Sequence, residues 1–181
     1  MIRIKNWELK IIKKKKNRFI DQGDKYIPKK LRVIFIFESP SAHKGYFYDD
    51  TSRSSEILYR SLTKCLLCEV SKIKSEGLRG FADKGYLLVN AIYKPVNKIA
   101  DKDADKLILN NYYFLKNDLK NIINNRKIKI ILIKKNICNL LKRKLLIDGF
   151  NVLNDNKIIP FPMHYHYNSF CKKIRKLLKF N

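Results

Sequence analysis

The chain has 181 residues, 45% of them hydrophobic and 12% aromatic, which is enough for one domain with a real core and excludes a disordered segment. Forty Lys and Arg stand against 16 Asp and Glu, and the net charge of +24 favours a polyanionic partner, nucleic acid or an anionic surface. No apolar run approaches the roughly 20 residues that span a bilayer, and "WELKII" is too short and too charged for a signal peptide, so an intracellular protein with no membrane partner is expected.

Residues 4–20 read as a basic amphipathic helix with Trp7, Ile11, Ile12, Phe19 and Ile20 as its apolar set. Lys13 to Lys16 is either a solvated charge run or an edge that tracks phosphates. Tyr26-Ile27-Pro28 breaks the helix. Residues 1–30 are thus expected to carry a basic helix packed on one domain spanning 31–181.

Four apolar runs follow, at Val33–Phe37, 86–89, 128–133 and 157–159. Continuous apolar runs suit parallel strands covered on both faces. Helical patterns separate and follow them at about 53–70, 103–125, 135–146 and 168–179, and residues 149–152 read as a minor strand or a turn. Alternating strands and helices predict a three-layer α/β/α sandwich around a central four-stranded, mostly parallel sheet.

Four cysteines occur, and Cys65-x-x-Cys68 has metal-ligand spacing that Cys138 and Cys171 would complete. The same two residues also share one buried face of a helix, as free cysteines commonly do. The expectation is therefore no metal and no cofactor, with an iron–sulfur cluster as the alternative. Disulfides are not expected in a reducing compartment.

In an open α/β sheet, ligands bind beyond the carboxyl ends of the strands. The segments to inspect are therefore Glu38-Ser39-Pro40, Asn90 with "AIYKPVN", "KKNICNLL", and "PFPMHYH". Their order resembles the uracil-DNA glycosylase superfamily over roughly residues 31–180. "FESPSAHKGYFYD" is similar to the family's first motif, a strand ending in Glu-x-Pro, then a glycine and an aromatic pocket wall. "YLLVNAIYKPVN" resembles the second, a strand ending on Asn, and "IKIILIKKNICNLL" the third strand and its helix. "IIPFPMHYHYNSF" stands where the family carries His-Pro-Ser and a helix. The Glu-Ser-Pro motif points to a less-characterised branch.

The resemblance implies a DNA glycosylase of base excision repair, acting as a monomer on single- or double-stranded DNA and needing no cofactor. Such an enzyme breaks an N-glycosidic bond through an oxocarbenium-like sugar while the base departs as an anion. It needs a carboxylate near the sugar and a flipped-out base held against an aromatic. The resemblance gives Glu38 the catalytic carboxylate and places Ser39 and Pro40 beside it. Phe47 and Tyr48 become the stacking wall. Asn90 becomes the reader of the base, since one amide donor and one acceptor match O4 and N3–H of uracil. Phe161-Pro162-Met163 replaces His-Pro-Ser, leaving His164 as the substitute donor. Met163 or Tyr165 is the candidate DNA wedge. Lys44, Lys94, Lys98 and His166 are the expected DNA contacts. Ser41 occupies the position of a tyrosine that blocks the thymine methyl in the best-known branch, so the base could be another lesion. The departures at Ser39 and Phe161 keep a second reading open, a nucleic-acid-binding protein of the same fold without catalysis. A small-molecule enzyme using the same cleft is a third, although no phosphate-binding glycine motif follows any strand.

Overall fold

The apolar run Val33–Phe37 forms strand β1, with every residue buried. The structure, a computed structural model, describes residues 23–42, 45–53, 55–123, 125 and 127–179, with the backbone alone at His164. The basic helix expected at 4–20 lies outside the described residues. β1 pairs in parallel with β2 (Tyr86–Asn90) on one side and β3 (Lys129–Leu132) on the other. β4 (Asn151–Val152) joins the far edge of β3. The order is β2-β1-β3-β4, and all pairings between these strands are parallel.

Between β1 and β2 lie α1 (Ile57–Leu67) and α2 (Lys74–Asp83). Between β2 and β3 lie α3 (Asp101–Asn110) and α4 (Tyr112–Ile122). α5 (Lys135–Ile147) leads to β4, and α6 (Tyr167–Leu178) closes the fold. α1 packs on α2 and α6, whereas α3 packs on α4 and α5. These two groups cover opposite faces of the sheet, as right-handed crossovers require when the chain first steps one way from β1 and then returns past it. The result is the α/β sandwich expected from the sequence. Among the described residues no helix is long and apolar enough to cross a membrane.

Helix α2 was not legible in the sequence because Gly77 and Gly80 weaken the helical pattern, at about 1 kcal/mol each relative to Ala. Packing explains Gly77. A Cβ there would sit 1.9 Å from the hydroxyl of Tyr59, a fully buried ring on α1. Gly77→Ala should therefore destabilise the fold by about 1–3 kcal/mol despite alanine's better helix propensity, measured by denaturant melts. The stretch 103–125 is two helices rather than one. Asn111 interrupts it, turning its side-chain amide back to donate to the Leu107 carbonyl at 2.9 Å.

The fourth strand also needs correction. It is Asn151–Val152, while within 157–159 only Ile159 bridges to Ile133. The buried side chain of Asn154 replaces the missing ladder. Its Oδ1 accepts from the Leu132 amide at 2.7 Å, and its Nδ2 donates to the Leu132 carbonyl at 2.8 Å. Each buried backbone group left unsatisfied costs about 1–3 kcal/mol. Asn154→Ala should lower unfolding free energy by about 2 kcal/mol or more on that basis.

The four cysteines divide between the two helical layers. Cys65, Cys68 and Cys171 lie on or beside α1 and α6. Cys138 sits on α5, its thiol 3.6 Å from the Leu132 carbonyl. A four-thiolate set is not assembled. Among the described residues no three His, Cys, Asp or Glu side chains gather as metal ligands would.

Candidate active site

The sheet sets its carboxyl ends side by side. Glu38 follows β1, Asn90 ends β2, and Lys134 stands just beyond β3 and its extension at Ile133. From β1 the chain steps to β2 on one side and later to β3 on the other, so the crevice of a doubly wound sheet opens between β1 and β3. A cleft of about 690 Å³ lies here. Six residues expected in the site from the sequence line it: Glu38, Ser39, Pro40, Phe47, Asn90 and Met163.

Glu38 is mostly shielded and heavily held. Lys134 Nζ donates to Oε1 at 2.8 Å and to Oε2 at 2.7 Å, and Asn136 Nδ2 donates to Oε1 as well. Asn136 also reaches Asp105 Oδ1 at 3.3 Å, linking the carboxylate to α3. A carboxylate offers about four lone-pair sites. Three hydrogen bonds from these two side chains leave room on Oε2 for one more, such as a water. Held by these donors, the carboxylate is placed to stabilise a positive sugar and to orient a water.

Lys134 and Asn136 were not singled out in the sequence. The signal was present in the rule already applied to Glu38 and Asn90, because Lys134 is the corresponding residue beyond the third strand. Its backbone has φ 85 and ψ 144, and its amide donates to the Ile159 carbonyl at 2.8 Å.

Asn90 is 3% exposed and lines the cleft, yet its Nδ2 has no hydrogen-bond partner among the described residues. A buried unsatisfied donor costs about 1–3 kcal/mol, and native structures keep few of them. Beyond it the backbone stays tied to the exit of β1, Ala91 N donating to Phe37 O at 2.7 Å and Ile92 N to Glu38 O at 3.1 Å.

Ser39 stitches the two loops together. Its hydroxyl accepts from the Val96 amide at 3.3 Å and donates to the Pro40 carbonyl at 3.2 Å. Asn97 Oδ1 accepts from the Ala42 amide at 3.2 Å nearby. Ser39 thereby fixes the shape of the cleft wall through the backbone of both loops.

The aromatic wall differs from expectation. Tyr48 is 1% exposed, and its hydroxyl accepts from the Leu88 amide at 2.7 Å, so it belongs to the core and not to the cleft. Burial pushes its phenol pKa well up. Phe47 does line the cleft but is wedged edge-on against Tyr48 and Phe81, with ring centroids 4.8 and 5.3 Å away. Phe161, half-buried, adds a second aromatic surface and packs at right angles to Phe37, 5.9 Å between centroids. In the sequence Phe161 stood out only as a departure from His-Pro-Ser, which hid its place in the cleft wall.

A second carboxylate, Glu56, closes the far side. Both of its oxygens cap α1, accepting from the Leu58 and Tyr59 amides at 2.9 Å. Burial raises its pKa. Burial also lowers the pKa of Lys74, whose ammonium donates to the Tyr46 carbonyl and the Ser52 hydroxyl at 2.8 Å each. This buried lysine ties α2 to the aromatic loop behind the cleft.

Lys94, Lys98, Tyr165 and His166 do not line the cleft. Lys94 and Lys98 are exposed on the loop after β2. Met163 is 39% exposed at the rim, and Tyr165 is 78% exposed on the short 3-10 turn His164–His166 that follows. The Tyr165 ring packs on exposed His166, 4.5 Å between centroids. Lys44 lies outside the described residues. A second hollow of about 760 Å³ lies at the opposite, amino-terminal end of the sheet. Lys29, Lys30, Arg32, Lys84, Lys127 and Lys129 line it. No protein-family model, curated protein or solved structure matches this chain.

Proposed function

We propose that this chain is a DNA glycosylase of the uracil-DNA glycosylase superfamily, an intracellular base-excision-repair enzyme that hydrolyses the N-glycosidic bond of uracil or a related damaged base. The observation that carries this reading is Asn90. Its unpartnered, buried amide donor lines the same cleft as a carboxylate held by Lys134 and Asn136. A base carbonyl satisfies that donor, and the flipped base lies against the aromatic wall.

The chemistry follows from the charges. The C1′–N bond breaks and its electron pair leaves on the base. The sugar becomes cationic beside Glu38, whose free lone pair orients a water. The water oxygen bonds to C1′, and the proton it sheds balances the one the base anion takes up. Lys94 and Lys98 hold phosphates, while Met163 and Tyr165 at the rim take the place of the flipped base. Phe161→Ala should raise KM about tenfold with a smaller change in kcat, as loss of one stacking surface would.

The test is a panel of oligonucleotides containing uracil, a mismatched thymine or a deaminated purine, incubated at low salt and then treated with alkali to cleave abasic sites. Thymine belongs in the panel because Ser41, a small residue, lines the cleft. Cleavage at any lesion supports the proposal, and an untouched panel refutes it. One observation favours a second reading, binding without chemistry: Phe161, Pro162 and Met163 bring no proton donor to the cleft. That reading predicts DNA binding with a steep salt dependence and no abasic product.

A further inference from the structure

Lys134 occupies a backbone conformation, φ 85 and ψ 144, that glycine adopts freely and a lysine does not. Such a conformation costs on the order of 1–3 kcal/mol in a residue with a Cβ and recurs at functional sites. The side chain held in this conformation points at Glu38. Among the described residues lining the cleft, Lys134 is the one cation. Two of its three N–H bonds go to the Glu38 oxygens, and the third has no partner among the described residues. The side chain keeps 42% of its surface exposed.

We infer that Lys134 supplies the positive charge that stabilises the departing base anion, a role that rests on the glycosylase reading. Breaking the C1′–N bond leaves a cation on the sugar and an anion on the base. Glu38 and Lys134 form a fixed pair of opposite charges, 2.7 Å apart, that matches this separation. Glu38 faces the sugar and the third Lys134 N–H faces the base oxygen. Groups arranged before the reaction need no reorganisation as charge develops, which is why such donors carry large effects. This placement fills the gap left by the fourth segment, where Phe161 and Met163 bring surface but no charge.

Single-turnover release of uracil and of 5-fluorouracil, a more stable leaving anion, separates this role from a structural one. Lys134→Gly suits the backbone and should slow uracil release by about 10²–10³-fold, as removal of one such donor does. The loss on 5-fluorouracil should be at least about tenfold smaller, because the better leaving group needs less help. Lys134→Arg keeps the charge and should retain more activity than Lys134→Gly. Equal losses on both bases, or full activity in Lys134→Gly, would overturn the role of Lys134 and leave the glycosylase reading standing. A wild-type chain that releases neither base overturns both. If Lys134→Gly does not fold, Lys134→Met decides, since it keeps the length of the side chain and removes the charge: a loss at least about tenfold larger on uracil than on 5-fluorouracil supports the inference, and equal losses contradict it.

Discussion

Glu38→Gln should reduce base release by about 10³-fold while leaving DNA binding nearly unchanged, as expected when a charge acts mainly in the transition state. The substitution keeps the shape of the side chain and one carbonyl acceptor. It removes the negative charge that faces the sugar and that holds Lys134 through contacts of 2.8 and 2.7 Å. The effect should fall on kcat more than on KM, because a neutral substrate sugar gains little from the carboxylate before the bond begins to break. Some loss of stability should accompany it, since Lys134 would lose its counter-charge, but that pair is only partly buried and the change should stay near 1 kcal/mol. Quenched-flow kinetics with excess enzyme, alongside a binding isotherm, would separate the two effects. Equal losses in binding and in rate would make Glu38 a structural or DNA-contact residue instead.

Asn90→Ala should cost about 10²–10³-fold in base release and very little stability. The rate loss follows from deleting a buried, directional donor aimed at the base. Stability is spared because the donor removed has no partner in the folded chain, so no hydrogen bond is broken. An ordinary buried Asn behaves in the opposite way. Asn154, which pairs with both polar groups of Leu132, serves as the internal comparison: its alanine variant should melt earlier and keep its chemistry per folded molecule. Thermal melts of the two variants, measured together with single-turnover rates, would show the contrast. A large drop in melting temperature for Asn90→Ala would mean that the amide is structural.

The sheet was legible because its strands are short, continuous apolar runs. β1 and β2 were readable almost to the residue, since both are buried along their full length. The fourth strand was misplaced because burial of Ile159 leaves the same apolar signal as a strand. Pairing at β4 involves two residues, and the ladder beyond them passes through a side chain, Asn154, which has no hydrophobic signature. α2 was hidden by Gly77, a residue that weakens a helix but lets Tyr59 approach it.

The cleft was readable to the extent that strand ends dictate it. Glu38 and Asn90 follow from position alone. Tyr48 was misassigned because three successive aromatics in a loop do not reveal which ring the core will take. Its hydroxyl bond to the Leu88 amide is a long-range contact with no local sequence signal. Lys134 and Asn136 were obscured by composition: in a chain with 40 Lys and Arg, one more lysine carries no signal until a carboxylate is found beside it. The fourth segment was readable as a departure, yet the aromatic surface that Phe161 presents became visible only in three dimensions.

The most direct measurement is release of free uracil from a single-uracil oligonucleotide by the purified full chain, at low salt and with enzyme in excess. Glu38→Gln and Asn90→Ala should be run beside it. A stoichiometric burst of uracil and alkali-labile sites from wild type, reduced at least about a hundredfold in both variants, is the predicted result. Tight, salt-sensitive DNA binding with no uracil released by wild type, or equal release by all three proteins, would contradict it.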